Sequence, residues 1–240
     1  RRNPTVIAEN LPYLFSDRRI AINGKFLEQV SAGNSLPFYM QQEQGWNSGI
    51  SYIKNFMFLG FPSDVMLDVF RTQFISQIVI DRDADINSIN LVQNTGDKAG
   101  YTESFHAEWS FMPLMRFKVK LAYRYVNNQQ FLNNQFQIQP FQSKHRGLVT
   151  LHYKTRSQWY FDLLSQINGP KRIVNYEITN NNTEYSPTYA IVNLQIRKVL
   201  KKGWEIYTGM ENIGDFKQNN PIFERYNLVG TKFTDPGFGW

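Results

Sequence analysis

The chain has 240 residues, a net charge of +6 and no cysteine. That length carries one sizeable domain, and the missing cysteine excludes a disulfide framework and a thiolate metal site. No run approaches the ~18–20 apolar residues of a membrane-spanning helix, and the lysines and arginines are scattered along alternating segments, without the patch or stacking motifs of a nucleic-acid binder.

The opening RRNPTVIAEN has neither an initiator methionine nor a secretory leader, which gives the expectation of an internal start. Residues 1–45 are the least legible part. FSDRRIAINGKF reads as one strand, and SAGNSLPFYMQQEQG as loop or turn. From Trp46 a regular plan begins. Trp46–Leu59 reads as a strand with Trp46, Ile50, Tyr52, Phe56 and Phe58 on one face, although Lys54 interrupts that face. GFPSD is a tight turn, and Asp64–Ile80 is the return strand, whose alternation slips after Arg71 as at a bulge.

DRDADINSINLVQNTGDKAG reads as a long polar connection, followed by a strand at Thr102–Phe111. MPLM turns into Arg116–Val126, the clearest two-faced strand: Phe117, Val119, Leu121, Tyr123 and Tyr125 alternate with Arg116, Lys118, Lys120, Ala122 and Arg124. NNQQFLNNQFQIQPFQSKH is another long connection. Strands at Arg146–Lys154 and Gln158–Ile167 flank the short TRS turn. The long NGPKRIVNYEITNNNTEYS leads to Pro187–Lys198, then VLKKG, a last strand at Trp204–Ile213, and a polar tail.

Strands of roughly ten residues joined alternately by short turns and by connections of roughly twenty are unusual in a soluble sandwich, where most loops are a handful of residues. They are the rule in an outer-membrane barrel, whose strands must pair every backbone group inside the hydrocarbon. The expected fold is therefore all-β: an antiparallel transmembrane β-barrel with short periplasmic turns and long extracellular loops. Phe117, Val119 and Leu121 are expected to face lipid, Tyr123 and Tyr125 the interface, and Lys118, Lys120 and Arg124 the lumen. Trp46, Trp109, Trp159, Trp204, Tyr125 and Tyr153 fall near strand ends, where aromatic girdles form.

Four segments carry a family resemblance: ENLPYLFSDRR, EQGWNSGISY (Glu43 to Tyr52), GYTESFHAEW (Gly100 to Trp109) and GMENIGDFKQNNPI (Gly209 to Ile222, with Asn212 and Asp215). In order and spacing they resemble the C-terminal part of the barrel of TonB-dependent outer-membrane receptors of the Bacteroidota type. Gln42 stands where that family usually has proline. The resemblance implies a fragment of a barrel of about 22 strands: residues 1–45 a barrel segment with a loop, residues 46–240 about eight transmembrane strands, and the plug domain and final strand lying outside the chain. It implies a receptor that imports a scarce nutrient (a metal chelate, haem, cobalamin or similar) with energy coupled from the inner membrane, and no covalent chemistry. Implied partners are outer-membrane lipid and lipopolysaccharide, the receptor's own plug, a TonB-type complex and the small-molecule ligand. A small passive porin, or a barrel adhesin or enzyme, is the alternative; Ser104 and His106 lie two apart on one strand but lack a third triad member.

The candidate site residues follow from the strand plan. Arg124, Arg197, His106 and Glu108 point to the lumen and are candidates for the ligand path or plug contact. Lys144 and His145 in SKHR, and Lys171 and Arg172 in GPKR, place positive charge on two long connections that would attract an anion. Asp81, Asp83 and Asp85 in DRDAD are the candidates for a loop calcium, though the run lacks the glycine and terminal glutamate of an EF-hand loop. No resident cofactor is expected, although the transported ligand itself could contain iron or another metal.

Overall fold

A computed structural model describes residues 19–26, 42–81, 88–173 and 185–217. Among these residues there is no α-helix, and the chain forms twelve strands in one sheet. They are β1 (Arg19–Ile22), β2 (Lys25–Phe26), β3 (Gln44–Phe58), β4 (Phe61–Asp81), β5 (Ser88–Thr95), β6 (Tyr101–Leu114), β7 (Phe117–Leu132), β8 (Gln135–Ile138), β9 (His145–Lys154), β10 (Trp159–Asn168), β11 (Tyr189–Val199) and β12 (Glu205–Met210).

The main body is an antiparallel meander, β3–β4–β6–β7–β9–β10–β11–β12. Short connections join β3 to β4, β6 to β7, β9 to β10 and β11 to β12 as hairpins, and neighbouring hairpins pair in chain order. The turns demand left-handed backbone: Leu59 and Gly60, Arg116, Gln158, and Lys202 and Gly203 all have positive φ. The first is the two-residue type that matches strand twist. It sits one step earlier than the expected GFPSD turn, because Phe61 and Pro62 already pair with Phe58 and Met57. Likewise MPLM does not form the next turn. Met112 to Leu114 belong to β6, at an irregularity in its pairing with β7, and the reversal is at Met115 and Arg116.

The sheet is open: among the described residues it does not close into a barrel, and the expected fold holds only as an all-β, largely antiparallel sheet. β3 pairs only with β4 and β12 only with β11 among the described residues, so each keeps one unpaired edge. Closure requires those two edges to be paired, with each other or with further strands.

At the end opposite the short turns two of the expected long loops contain strand among the described residues. β4 continues to Asp81 and β5 returns along it, Ser76 opposite Thr95 and Asp81 opposite Asn90. The single turn at Gly96–Lys98 then delivers the chain into β6. The interruption is tight: a Cβ on Gly100 would lie 2.1 Å from the Gln129 carbonyl oxygen. The bulge expected after Arg71 falls at Ile75, where Gly45 pairs with Phe74 and Gln44 with Ser76. Residues 127–138 are not a loop either. β7 runs on to Leu132, Asn133 and Asn134 both take positive φ, and β8 folds back on it. Asparagine tolerates that conformation better than other non-glycine residues, which is why an Asn-Asn pair reads as a hairpin turn.

The N-terminal segment expected as one strand is a hairpin, β1 and β2, turning at Asn23 and Gly24. β1 lies parallel to β5 at the long-connection end, so it does not widen the main meander. The packed interior is here: Ile78 and Leu91 are buried, with Ile22 and Ile80 against them.

Candidate functional site

The register sorts the meander into two unlike faces. One carries, strand by strand, Val65, Leu67 and Val69; Phe105, Ala107, Trp109 and Phe111; Val119, Leu121, Tyr123 and Tyr125; Val149 and Leu151; Phe161 and Leu163; Leu194 and Ile196. None of the buried apolar side chains lies on this face. Nothing covers it among the described residues, and Ile50, Val69, Leu121 and Phe161 are exposed. These six strands, about 4.8 Å apart and with some 26 Å of strand between Phe117 and Tyr125, make an apolar surface of about 700 Å². Soluble monomers rarely expose contiguous apolar patches beyond a few hundred Å².

Aromatic rings edge this face at both ends. Near the short turns Phe58 meets Trp109 edge-on at 5.1 Å, and Trp109 stacks on Phe111 at 4.5 Å. In one register row Phe117 lies 6.4 Å from Tyr153, and Tyr153 lies 6.5 Å from Phe161. At the other end Phe105 packs 6.3 Å from Tyr123, and Tyr125 lies 5.2 Å from the His145 ring. Beyond that row the face turns polar within one step. Arg71 donates to Glu103 at 2.9 Å, and Asn127 donates to the other carboxylate oxygen at 3.4 Å.

The opposite face is polar. Glu108 accepts from Lys120 at 2.7 Å and has His106 3.9 Å away. With side chains 37% and 21% exposed, the Lys120 pair contributes at most about 1 kcal/mol. Ser110 donates to Asp64 at 2.6 Å, and His152 pairs with Asp162. Arg197 donates to Glu205 at 3.2 Å and lies 4.2 Å over the Tyr160 ring, which Lys154 also approaches. Arg197 is thus tied down near the short turns. Arg124 lies toward the other end, beside His106 on β6. A wide, shallow trough of about 410 Å³ opens near the short turns, with Asn55, Asp64, Met112 and Lys118 among its lining.

The structure places the loop candidates as follows. His145 opens β9 and lies on the apolar face, opposite Tyr125, with Nδ1 2.7 Å from the Tyr123 hydroxyl. It belongs to the strand, because β9 begins one residue earlier than the sequence pattern suggests. SKHR and GPKR converge: buried Ser143 donates at 2.8 Å to the carbonyls of both His145 and Gly169, and it bridges to Lys171. The Lys171 ammonium approaches the Tyr189 ring, and Arg172 Nε donates to the Ile138 carbonyl at 2.8 Å. The Lys144 carbonyl accepts the Val126 N–H at 2.9 Å. These residues knit connections together. Asp81 ends β4 and is buried opposite Asn90, whereas Asp83 and Asp85 lie outside the described residues. Among the described residues no three acidic, histidine or cysteine side chains converge as a metal site.

The sequence reading leaves out Arg146. Its parity with Thr150 and His152 on β9 is the signal that places it on the polar face, directly opposite Arg124. No family model matches the chain, and no curated protein matches it.

Proposed function

We propose that this chain is part of the wall of an outer-membrane β-barrel, and that the barrel is a receptor importing a small nutrient with energy supplied from the inner membrane. The observation that carries the membrane half is the uncovered apolar face, bounded by aromatic rows about 26 Å apart along the strand and ending abruptly at Arg71–Glu103. A bilayer favours such a face. The opposite face, rich in ion pairs, suits a watered lumen. The sorting of tight turns to one end and extended hairpins to the other supports periplasmic turns and extracellular projections. The open edges of β3 and β12 fit a wall that needs further strands, since lipid-exposed edges leave backbone groups unpaired.

Import as the purpose rests on the resemblance carried by the EQGWNSGISY, GYTESFHAEW and GMENIGDF segments. The test uses the full-length protein. It should fractionate with the outer membrane, and in liposomes it should give no rapid swelling with small sugars, because a receptor is plugged. Cells lacking it should fail to grow on one of a panel of iron chelates, haem or cobalamin, and an uncoupler should abolish uptake in wild-type cells. Fast sugar-dependent swelling would favour the passive porin instead, and recovery in the soluble fraction would end the membrane reading.

A further inference from the structure

We infer that Arg124 and Arg146 form an anion clamp on the polar face, a site for a carboxylate or phosphate group. The two arginines are direct cross-strand partners on β7 and β9. The ladder bonds from Val126 N–H to the Lys144 carbonyl and from Lys154 N–H to the Arg116 carbonyl, each 2.9 Å, set its phase. Arg124 and Arg146 therefore occupy a hydrogen-bonded pair, with Cα atoms about 5.5 Å apart. Like charges directly opposite each other destabilise a sheet.

The close ion pairs on this face join other residues: Lys120 holds Glu108, Arg197 holds Glu205, and His152 holds Asp162. Arg124 and Arg146 engage no other side chain among the described residues and are exposed. Their flanks continue the row, with His106 beside Arg124 and Asn168 beside Arg146. Asp68 is the nearest acid in the row, on the far side of His106. Two guanidinium groups carried side by side on one face of adjacent strands can together offer several N–H donors to one oxyanion, and the anion would remove the repulsion between them.

The clamp itself needs only the strand register; that it opens into a lumen rests on the function proposed above. The oxyanion has two sources, a free anionic ligand or a carboxylate from elsewhere in the same protein. The test is calorimetric titration of the full-length protein, in detergent at low salt, with citrate as the probe, together with thermal melts. The variants are Arg124→Gln, Arg146→Gln, the double variant, and Arg71→Gln, on the other face and paired with Glu103, as a control. Citrate binding weakened at least tenfold by each clamp variant, and not by Arg71→Gln, supports a site for a free anion. No citrate binding, with a lower melting temperature in the double variant, supports an internal carboxylate, since removing two unpaired like charges would raise it. Citrate binding indifferent to both arginines overturns the clamp. So does absent binding with the double variant unchanged or more stable. These readings hold whether or not the membrane and swelling experiments succeed.

Discussion

Arg71 and Glu103 pair at 2.9 Å across β4 and β6, one same-face step beyond Val69 and Phe105. Their side chains are 56% and 39% exposed, so the pair adds little stability. Its importance is its position. On three adjacent strands the row Val69–Phe105–Tyr125 is followed directly by Arg71–Glu103–Asn127. A bilayer surface at that step would leave the first row in hydrocarbon and the second in water. The chain has no cysteine, so a single introduced cysteine is the one thiol within it, and any cysteine elsewhere in the full-length protein is first replaced by serine. In the full-length protein in native membranes, Glu103→Cys should react with a water-soluble maleimide at least tenfold faster than Leu121→Cys. Equal rates at both positions would mean that the face is not covered by lipid.

Leu121 and Ala122 are neighbours on β7 that face opposite ways. Leu121→Arg puts a guanidinium midway between the aromatic rows, at a cost of about 2–4 kcal/mol if that face meets hydrocarbon. Ala122→Arg places the same group on the polar face, opposite Glu108. The expected outcome is that Leu121→Arg fails to reach the heat-resistant folded form in outer-membrane fractions, while Ala122→Arg assembles. Assembly of both variants would sink the face assignment.

The two faces were legible in the sequence because strand periodicity is strict. Once Phe117, Val119 and Leu121 share a face, Lys118 and Lys120 must take the other. The register between strands was not legible, and it carries the site: nothing in the linear order brings Arg146 opposite Arg124, or Asp162 opposite His152. The polar runs at 88–95 and 127–138 were misread as loops because their asparagines and glutamines suggest turns. Their β-structure comes from pairing with the extended ends of β4 and β7, a long-range effect that local composition does not report. His145 was misplaced for a related reason, since its role is set by Tyr123 and Tyr125 on the neighbouring strand.

Gly100 joins β5 to β6 where the chain passes close to β7. Its N–H donates to Gln77 Oε1 at 3.0 Å, and a Cβ there would lie 2.1 Å from a backbone oxygen that cannot swing aside. Gly100→Ala should therefore destabilise the protein by about 1–3 kcal/mol, read as a lower denaturation midpoint. Gly214→Ala is the control, since nothing lies within 4 Å of its added methyl, and it should stay within about 0.5 kcal/mol of the parent. Equal effects from the two substitutions would show that β5 and β6 do not approach β7 in this way.

The ENIGDF stretch after β12 is organised by one side chain. Asn212 has a positive φ of 49°, its Oδ1 accepts the Phe216 N–H at 3.0 Å, and its Nδ2 donates to the Phe216 carbonyl at 3.0 Å. Its own N–H donates to Asn193 Oδ1 on β11 at 2.9 Å, and Phe216 stacks on Tyr189 at 4.8 Å. A short amide with access to the left-handed region meets all these demands together. Asn212→Gly keeps the backbone freedom and removes both side-chain bonds; Asn212→Ala also adds left-handed strain. Amide exchange at Phe216 should accelerate roughly five- to thirtyfold in Asn212→Gly, the range that a loss of about 1–2 kcal/mol gives. It should accelerate further in Asn212→Ala. If exchange is unchanged in both variants, Asn212 does not hold the turn, and Phe216 is fixed by its stack on Tyr189 alone.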